Sequence, residues 1–358
     1  MDPMCGSGTV LRLAAQMGYR TIGFDVDPLA VLMTRVSSRG LNHKLFEQVL
    51  DALTNKLRKL DTPAPYLEWI DTDPETRAFV DFWFAPMQQE QLRYISAELV
   101  SAKGPIVDAL RLSLSRVIIT KEPQASLARD TSHSRPHRTI AHNDFNVLTG
   151  FQRAAGTLAK RVEPSEPSYA PRIELGDARN LFDVPAKSVA AVITSPPYLN
   201  AIDYMRGHRL SLVWLGYSLA KLRQIRASSV GTERGAHLDA KADLARLVIH
   251  EHPSATGALQ KIIYRFVQDI NSIMREVTRV LMPGGRAIFV IGNTTVRTLN
   301  INNSGLLRLL AENHGLTLMS EVTRELPGIN RYLPPPEREE STFKTRLRAE
   351  SVLWFERH

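Results

Sequence analysis

Two short stretches carry residue types that can do chemistry. The first is DPMCGSGT, Asp2 to Thr9. Its glycines at 6 and 8 let backbone N–H groups approach a ligand closely just before a helix begins, where the helix dipole favours an electron-rich group. The loop has neither the third glycine of the dinucleotide fingerprint nor the lysine of a P-loop, which weakens both of those readings. Alone it is as readily an ordinary turn as a ligand loop. One helix and one strand later, Asp25 ends the apolar run TIGFDVD, where a carboxylate can accept both hydroxyls of a ribose. With that acid in place the ligand reading leads. The second stretch, VAAVITSPPYLNAIDY, runs an apolar strand into Ser195-Pro196-Pro197-Tyr198. Prolines fix the backbone and lack N–H groups, so their carbonyls can face a pocket without joining a ladder. Tyr198 offers a flat face for a planar base. The plainer alternative is a strand-ending turn.

The elements that must hold these residues form an α/β pattern interrupted once. VLRLAAQMG reads as a helix stopped by Gly18, TIGFDVD as a buried strand, and PLAVLMTRVSS as a helix opened by Pro28. From about Leu41 the pattern turns helical. KLFEQVLDALTNKLRKL places Phe46, Val49, Leu50, Leu53, Leu57 and Leu60 on one face, and PIVDALRLSLSRVII follows. A polar, basic stretch, SLARDTSHSRPHRTIAHNDF, and a linker at RVEPSEPSYAP come next. Strand pattern resumes in RIELGDAR and VAAVITSPPY. The long helix ALQKIIYRFVQDINSIMREVTRVL leads through a PGG turn into the strand RAIFVIGN. Two late strands, LTLMSEVTREL and ESVLWFER, flank the loop LPPPEREE. There is no internal repeat.

Composition sets outer bounds. At 358 residues, 43% hydrophobic and 23% charged, the chain matches an ordinary globular protein with room for a full α/β core and an insertion. No apolar run is long enough for a membrane span, and the opening residues lack the layout of a secretion signal, so the expectation is a cytoplasmic protein. A single cysteine excludes an internal disulfide and any multi-cysteine metal site. The net charge of +8 favours a polyanionic partner.

Taken in order, DPMCGSGT, GFDVDPLAV, GDAR and TSPPY resemble the successive motifs of S-adenosylmethionine-dependent DNA amino-methyltransferases, over the first 40 residues or so and most of the chain after Arg172. The resemblance implies a doubly wound, Rossmann-like α/β sheet and methyl transfer to the exocyclic nitrogen of adenine (N6) or cytosine (N4). Asp2 and the loop Cys5, Gly6, Ser7, Gly8 and Thr9 would then cradle the amino-acid part of the cofactor. Asp25 would hold the ribose, Val26 and Asp27 would lie beside the adenine, and Asp177, with Ala178, would meet its amino group. Ser195 and the Pro196 carbonyl would accept from the target amine, Pro197 would stiffen the turn, and Tyr198 would stack on the base. The target atom is unreachable in a duplex, so base flipping is implied. Carbon-5 methylation of cytosine needs a cysteine in the target pocket. Cys5 lies instead in the cofactor loop and no Pro-Cys pair exists, which excludes that chemistry. An RNA methyltransferase with the same core, or an inactive nucleic-acid-binding protein, is the alternative.

The expected layout is a core segment at 1–40, a helical insertion at 41–165 for DNA recognition or dimerisation, and the rest of the core at 166–358. The insertion falls between the ribose acid and GDAR, which departs from the common arrangement of the family. His133, His137 and His142 lack the partners of a metal site, so no metal is expected. With Arg129, Arg135 and Arg138 they form a phosphate-contacting loop or a solvated face. Arg206, His208 and Arg209 are candidates to line the substrate cleft. In the resembled family an apolar strand precedes the Asp-Pro of the cofactor loop. The expectation is therefore an amino-terminally shortened chain, weakly stable by itself, whose strand comes from upstream residues or from another polypeptide. The basic balance predicts that affinity for duplex DNA falls steeply with salt; titrations at rising salt should give a strongly negative log–log slope, and a flat one would mean that phosphates are not contacted.

Overall fold

In a computed structural model of the chain, residues 1–59, 61–118, 124–129, 136–162, 164, 168–199, 203–230, 257–296, 299–325 and 349–358 are described. After an opening loop come α1 (Thr9–Gln16), β1 (Ile22–Asp25) and α2 (Pro28–Arg39). A largely helical stretch follows, with α3 (His43–Arg58), α4 (Glu68–Asp71), α5 (Pro74–Trp83), α6 (Pro86–Ser101) and α7 (Pro105–Ser115). It ends with a small hairpin, β2 (Ala128–Arg129) and β3 (His137–Arg138), and α8 (Val147–Ala159). Then come β4 (Arg172–Leu175), β5 (Val189–Thr194), α9 (Met205–Leu212), a 3-10 turn at Val213–Leu215 and α10 (Leu219–Ser228). The chain finishes with α11 (Gly257–Val280), β6 (Leu281–Ile291), β7 (Thr294–Val296), β8 (Leu299–Ile301), α12 (Asn303–Asn313), β9 (Leu316–Glu325) and β10 (Ala349–Arg357).

Local chemistry sets many of the boundaries. Pro28, Pro74, Pro86 and Pro105 each open a helix, where a missing N–H costs nothing and the fixed φ is already helical. Asp27, Asn42, Asp73 and Asn146 cap helix starts by accepting backbone N–H groups two or three residues on. The PIVDALRLSLSRVII helix stops at Ser115, earlier than its apolar pattern suggests. The basic stretch, which reads as a loop, contains the β2–β3 hairpin. The strand after the PGG turn begins before it. Val189 of β5 faces Leu281 and Ala191 faces Arg286, so Met282–Gly285 form a bulge within β6 rather than a turn ahead of it.

The sheet is doubly wound. β1 pairs with β4 in parallel and β5 with β6 in parallel, while β10 runs antiparallel between β6 and β9. Met1 and Asp2 join the two parts. Asp2 donates to Ile22 O and accepts from Phe24 N; Met1 donates to Ala191 O and accepts from Ile193 N. The order across the molecule is therefore β4, β1, Met1–Asp2, β5, β6, β10, β9, a Rossmann-like α/β arrangement. LTLMSEVTRE forms β9 at the far edge and ESVLWFER lies in β10 beside it; Leu326 lies outside the described residues.

Two apolar clusters pack this frame. One seats α11 and α12 on the sheet, gathering Ile263, Phe266, Ile270 and Met274 of α11 and Leu307 and Leu310 of α12 with Val192, Phe289 and Phe355. The other gathers α3 to α8 around Leu29, Leu32 and Val36 of α2 and around Leu210 and Trp214. Phe46 and Leu50 of α3 are buried there, with Val49, Leu53 and Leu57 packed against the cluster; Leu60 lies outside the described residues. Among the described residues no helix is long and apolar enough to cross a membrane. Trp214 is fully buried and meets Phe84 edge-on at 5.1 Å. Trp214→Ala should cost about 3–5 kcal/mol, read as a lower urea midpoint, with Trp214→Phe losing less.

Candidate active site

The opening loop sits where the Met1–Asp2 segment leaves the sheet. Asp2 is buried; its Oδ1 accepts from the Thr194 hydroxyl at 2.7 Å and from Met4 N at 3.2 Å. Burial pushes its carboxyl up to about 6, against those hydrogen bonds. The Thr34 hydroxyl, on α2, donates to Gly6 O at 3.0 Å and lies 3.4 Å from the Cys5 sulfur. Gly8 has φ +83°, and a Cβ there would lie 2.8 Å from Thr34 Cα, so the close passage of loop over helix requires glycine. Gly23 serves similarly under α1, where a Cβ would meet Leu11 at 2.2 Å. Ser7 and Thr9 are exposed at the lip, beside the N–H groups of the first turn of α1.

Asp25 ends β1 with both oxygens aimed into the loop. Oδ2 accepts from Gly6 N at 2.9 Å and Oδ1 from Asp27 N at 3.0 Å. Burial raises its carboxyl to about 6. Val26 is half-buried. Asp27 caps α2 through Leu29 N, and its other oxygen is bonded to His208 Nδ1 at 2.5 Å. His208 thus ties α9 to the β1–α2 turn. Arg206 pairs with Asp203 instead, and Arg209 places its guanidinium over Phe79.

The third wall comes from β5. Thr194 is its last residue, so the hydroxyl that holds Asp2 immediately precedes Ser195. The Ser195 hydroxyl is exposed and donates to Val290 O, at the end of β6, at 2.9 Å. Pro196 is buried and Pro197 half-buried. Tyr198 packs on the sheet cluster and donates from its hydroxyl to Glu350 Oε1 at 3.0 Å. Burial pushes that phenol up to about 12, and the neighbouring Glu350 charge adds to the rise. Asp177 follows β4. Arg179 grips it through Nε and Nη2 and reaches on to Asp269 and the Ser228 carbonyl. Ala178 is buried beside it.

The sequence-expected residues are therefore gathered at the carboxyl ends of parallel strands, where doubly wound sheets bind ligands. Thr194, Thr34, Arg179 and Glu350 were not singled out by sequence. Thr194 and Arg179 carried a signal, by adjoining SPPY and by ending GDAR; Thr34 and Glu350 carried none. Of the basic loop, Arg138 stacks over Phe82; His133 and Arg135 lie outside the described residues. Among the described residues no group of His, Cys, Asp and Glu could hold a metal.

No protein-family model matches the chain. The chain is similar to three Type II methyltransferases. M.MvaI of Kocuria varians is 21% identical, the match covering 93% of this chain and 78% of that protein. M.BsoBI of Geobacillus stearothermophilus is 22% identical over 78% and 58%, and M.MjaII of Methanocaldococcus jannaschii 20% identical over 92% and 71%. The resemblance carried by the motifs is thus met again over most of the chain. Among solved structures, a protein described as a DNA modification methylase from Thermus thermophilus, complexed with S-adenosyl-L-methionine, is 18% identical over 51% of each chain with a TM-score of 0.26. A methyltransferase from Methanosarcina mazei has a TM-score of 0.25, covering 57% of this chain and 76% of its own.

The buried Asp2 carboxyl has a consequence for stability. Its folded value lies above that of the unfolded chain, so the folded state holds the extra proton between about pH 4 and 6. Stability from this group is greatest below that window and is lost as pH rises through it. Asp2→Asn keeps an acceptor for Thr194 and Met4 and removes the charge. It should be more stable than wild type at pH 7 by about 1–3 kcal/mol and equal to it near pH 4, by urea unfolding at both values.

Proposed function

We propose that the chain is an S-adenosylmethionine-dependent DNA methyltransferase acting on the exocyclic amino nitrogen of an adenine (N6) or a cytosine (N4) flipped out of double-stranded DNA. The observation that carries this reading is the 2.7 Å bond from Thr194 to Asp2, which fastens the SPPY strand directly to the glycine loop and so puts ligand and target sides in one cleft. The names of the similar proteins, all Type II methyltransferases, support methyl transfer.

The loop fits the cofactor. Gly6, at positive φ with nothing within 4 Å of where its Cβ would lie, leaves room for a ligand, Gly8 lets the loop pass close over α2, and the first turn of α1 carries no acidic residue to repel a carboxylate. Asp2 and the Cys5–Thr9 loop would hold the amino-acid part, Asp25 the ribose, and Val26, Asp27, Asp177 and Ala178 the adenine. Arg179 fixes Asp177, and His208 fixes Asp27, for that purpose. When bound, S-adenosylmethionine supplies an electrophilic methyl group.

An aromatic amine is a poor nucleophile because its lone pair is delocalised into the ring. Two acceptors draw its hydrogens out of that plane and free the lone pair. Ser195 spends its proton on Val290 O, which leaves the lone pairs of its oxygen for the amine. The Pro196 carbonyl is the second acceptor, and Tyr198 supplies the stacking face. The insertion at 41–165, with helices α3 to α8, is the segment proposed to read the DNA sequence or to pair two copies of the chain. Ser195→Ala and Tyr198→Ala should each lower transfer at least a hundredfold while cofactor affinity stays within about twofold. Genomic DNA treated with the purified protein and read at single-base resolution tests the reading. Methylamino bases at a defined sequence are expected; methylation of RNA alone, or of neither, would overturn it.

A further inference from the structure

The strand order brings to this cleft a residue that no motif contains. β10 runs antiparallel to its neighbours, so its amino-terminal end lies beside the carboxyl end of β6. Ser351 faces Ile291 and Val352 faces Val290, the residue whose carbonyl holds Ser195. Glu350 comes just before. One of its oxygens accepts from the Tyr198 hydroxyl at 3.0 Å. The other accepts from Nε and Nη2 of Arg324 at 3.0 and 2.6 Å, and Arg324 is the residue directly opposite on β9. The Glu350 side chain is only 14% exposed.

We infer that Glu350 is a positioning residue for Tyr198, which through its Arg324-held carboxylate fixes the ring on which the target base stacks. This rests on the base-methylation reading above. Prolines 196 and 197 restrain the ring at its backbone end, but the side chain keeps two free torsions. A charged acceptor at the hydroxyl pins the far end, and bonds to charged acceptors are the stronger kind. A phenolic O–H prefers the ring plane, so the direction to Glu350 also sets how the ring is turned. Stacking tolerates little tilt, and small misplacements at a reacting centre are costly in rate. A tyrosine needed only for packing has no use for this arrangement, because a half-buried hydroxyl can bond to water, while drawing a carboxylate largely out of water has a desolvation cost.

The test combines Glu350→Ala, Glu350→Gln, Tyr198→Phe and the double variant Glu350→Ala with Tyr198→Phe. On unmethylated DNA carrying the sequence the protein modifies, Glu350→Ala should lower kcat roughly ten- to hundredfold with KM for DNA and cofactor affinity within about twofold. Glu350→Gln, which keeps an acceptor, should recover most of the loss. In the Tyr198→Phe background the further change should cost nothing, because the hydroxyl is already gone. Equal losses with and without the hydroxyl would overturn the assignment. A second readout does not depend on activity. With tyrosines carbon-13 labelled at Cζ, the resonance missing from Tyr198→Phe belongs to Tyr198, and Glu350→Ala should displace it while other tyrosines stay put. An unmoved signal defeats the inference whatever the enzyme does. A moved signal in a protein that methylates nothing defeats the functional reading, and the positioning role with it, while the Tyr198–Glu350 contact stands.

Discussion

The backbone hydrogen bonds of Met1 and Asp2 to Ile22 and Phe24 on one side, and to Ala191 and Ile193 on the other, hold the two parts of the sheet together. Everything in the cleft inherits its register from them. Asp25 is placed by β1 and Ser195 by β5, and these strands do not pair with each other. The same segment adds a side-chain bond, from Thr194 to Asp2, at the level where the two walls must meet. A shift of the loop by one residue would therefore displace both walls at once.

Charge in the cleft is arranged with some tension. Asp2 and Asp25 are both desolvated, and each raises the cost of ionising its surroundings. Among the described residues neither has a cationic side chain in hydrogen-bond contact; their partners are N–H groups and a threonine hydroxyl. A ligand bearing positive charge relieves that strain, and a sulfonium with an amino group is such a ligand. Asp177, on the next strand, is treated differently, with Arg179 already bound to it.

What the sequence made legible was local. Glycine spacing, a strand-ending acid and a proline pair are fixed by near neighbours, and the loop, Asp25 and Ser195–Tyr198 were found that way. Helix starts were legible for the same reason, since Pro28 or Asp27 acts within a turn. Pairings across the sheet were not. Glu350 lies 152 residues from Tyr198, and only the antiparallel sense of β10 brings them together. Arg179 reads in sequence as the end of GDAR, and its second acid, Asp269, is on a helix 90 residues away. The bulge in β6 escaped because PGG is a turn signal whose outcome depends on whether β5 continues alongside.

The thiol of Cys5 lies in the middle of the glycine loop, yet it is buried and lies 3.4 Å from the Thr34 hydroxyl. Burial pushes it up to about 12, so at neutral pH it is protonated and a poor nucleophile. The chain's one cysteine is thus chemically silent towards alkylating reagents, disulfides and mild oxidants as long as the loop is folded. A thiol introduced on the surface would then be the sole reactive one, without any need to replace the native residue. Reaction of Cys5 itself becomes a clock for opening of the loop, since label enters only when β1 and α2 release it.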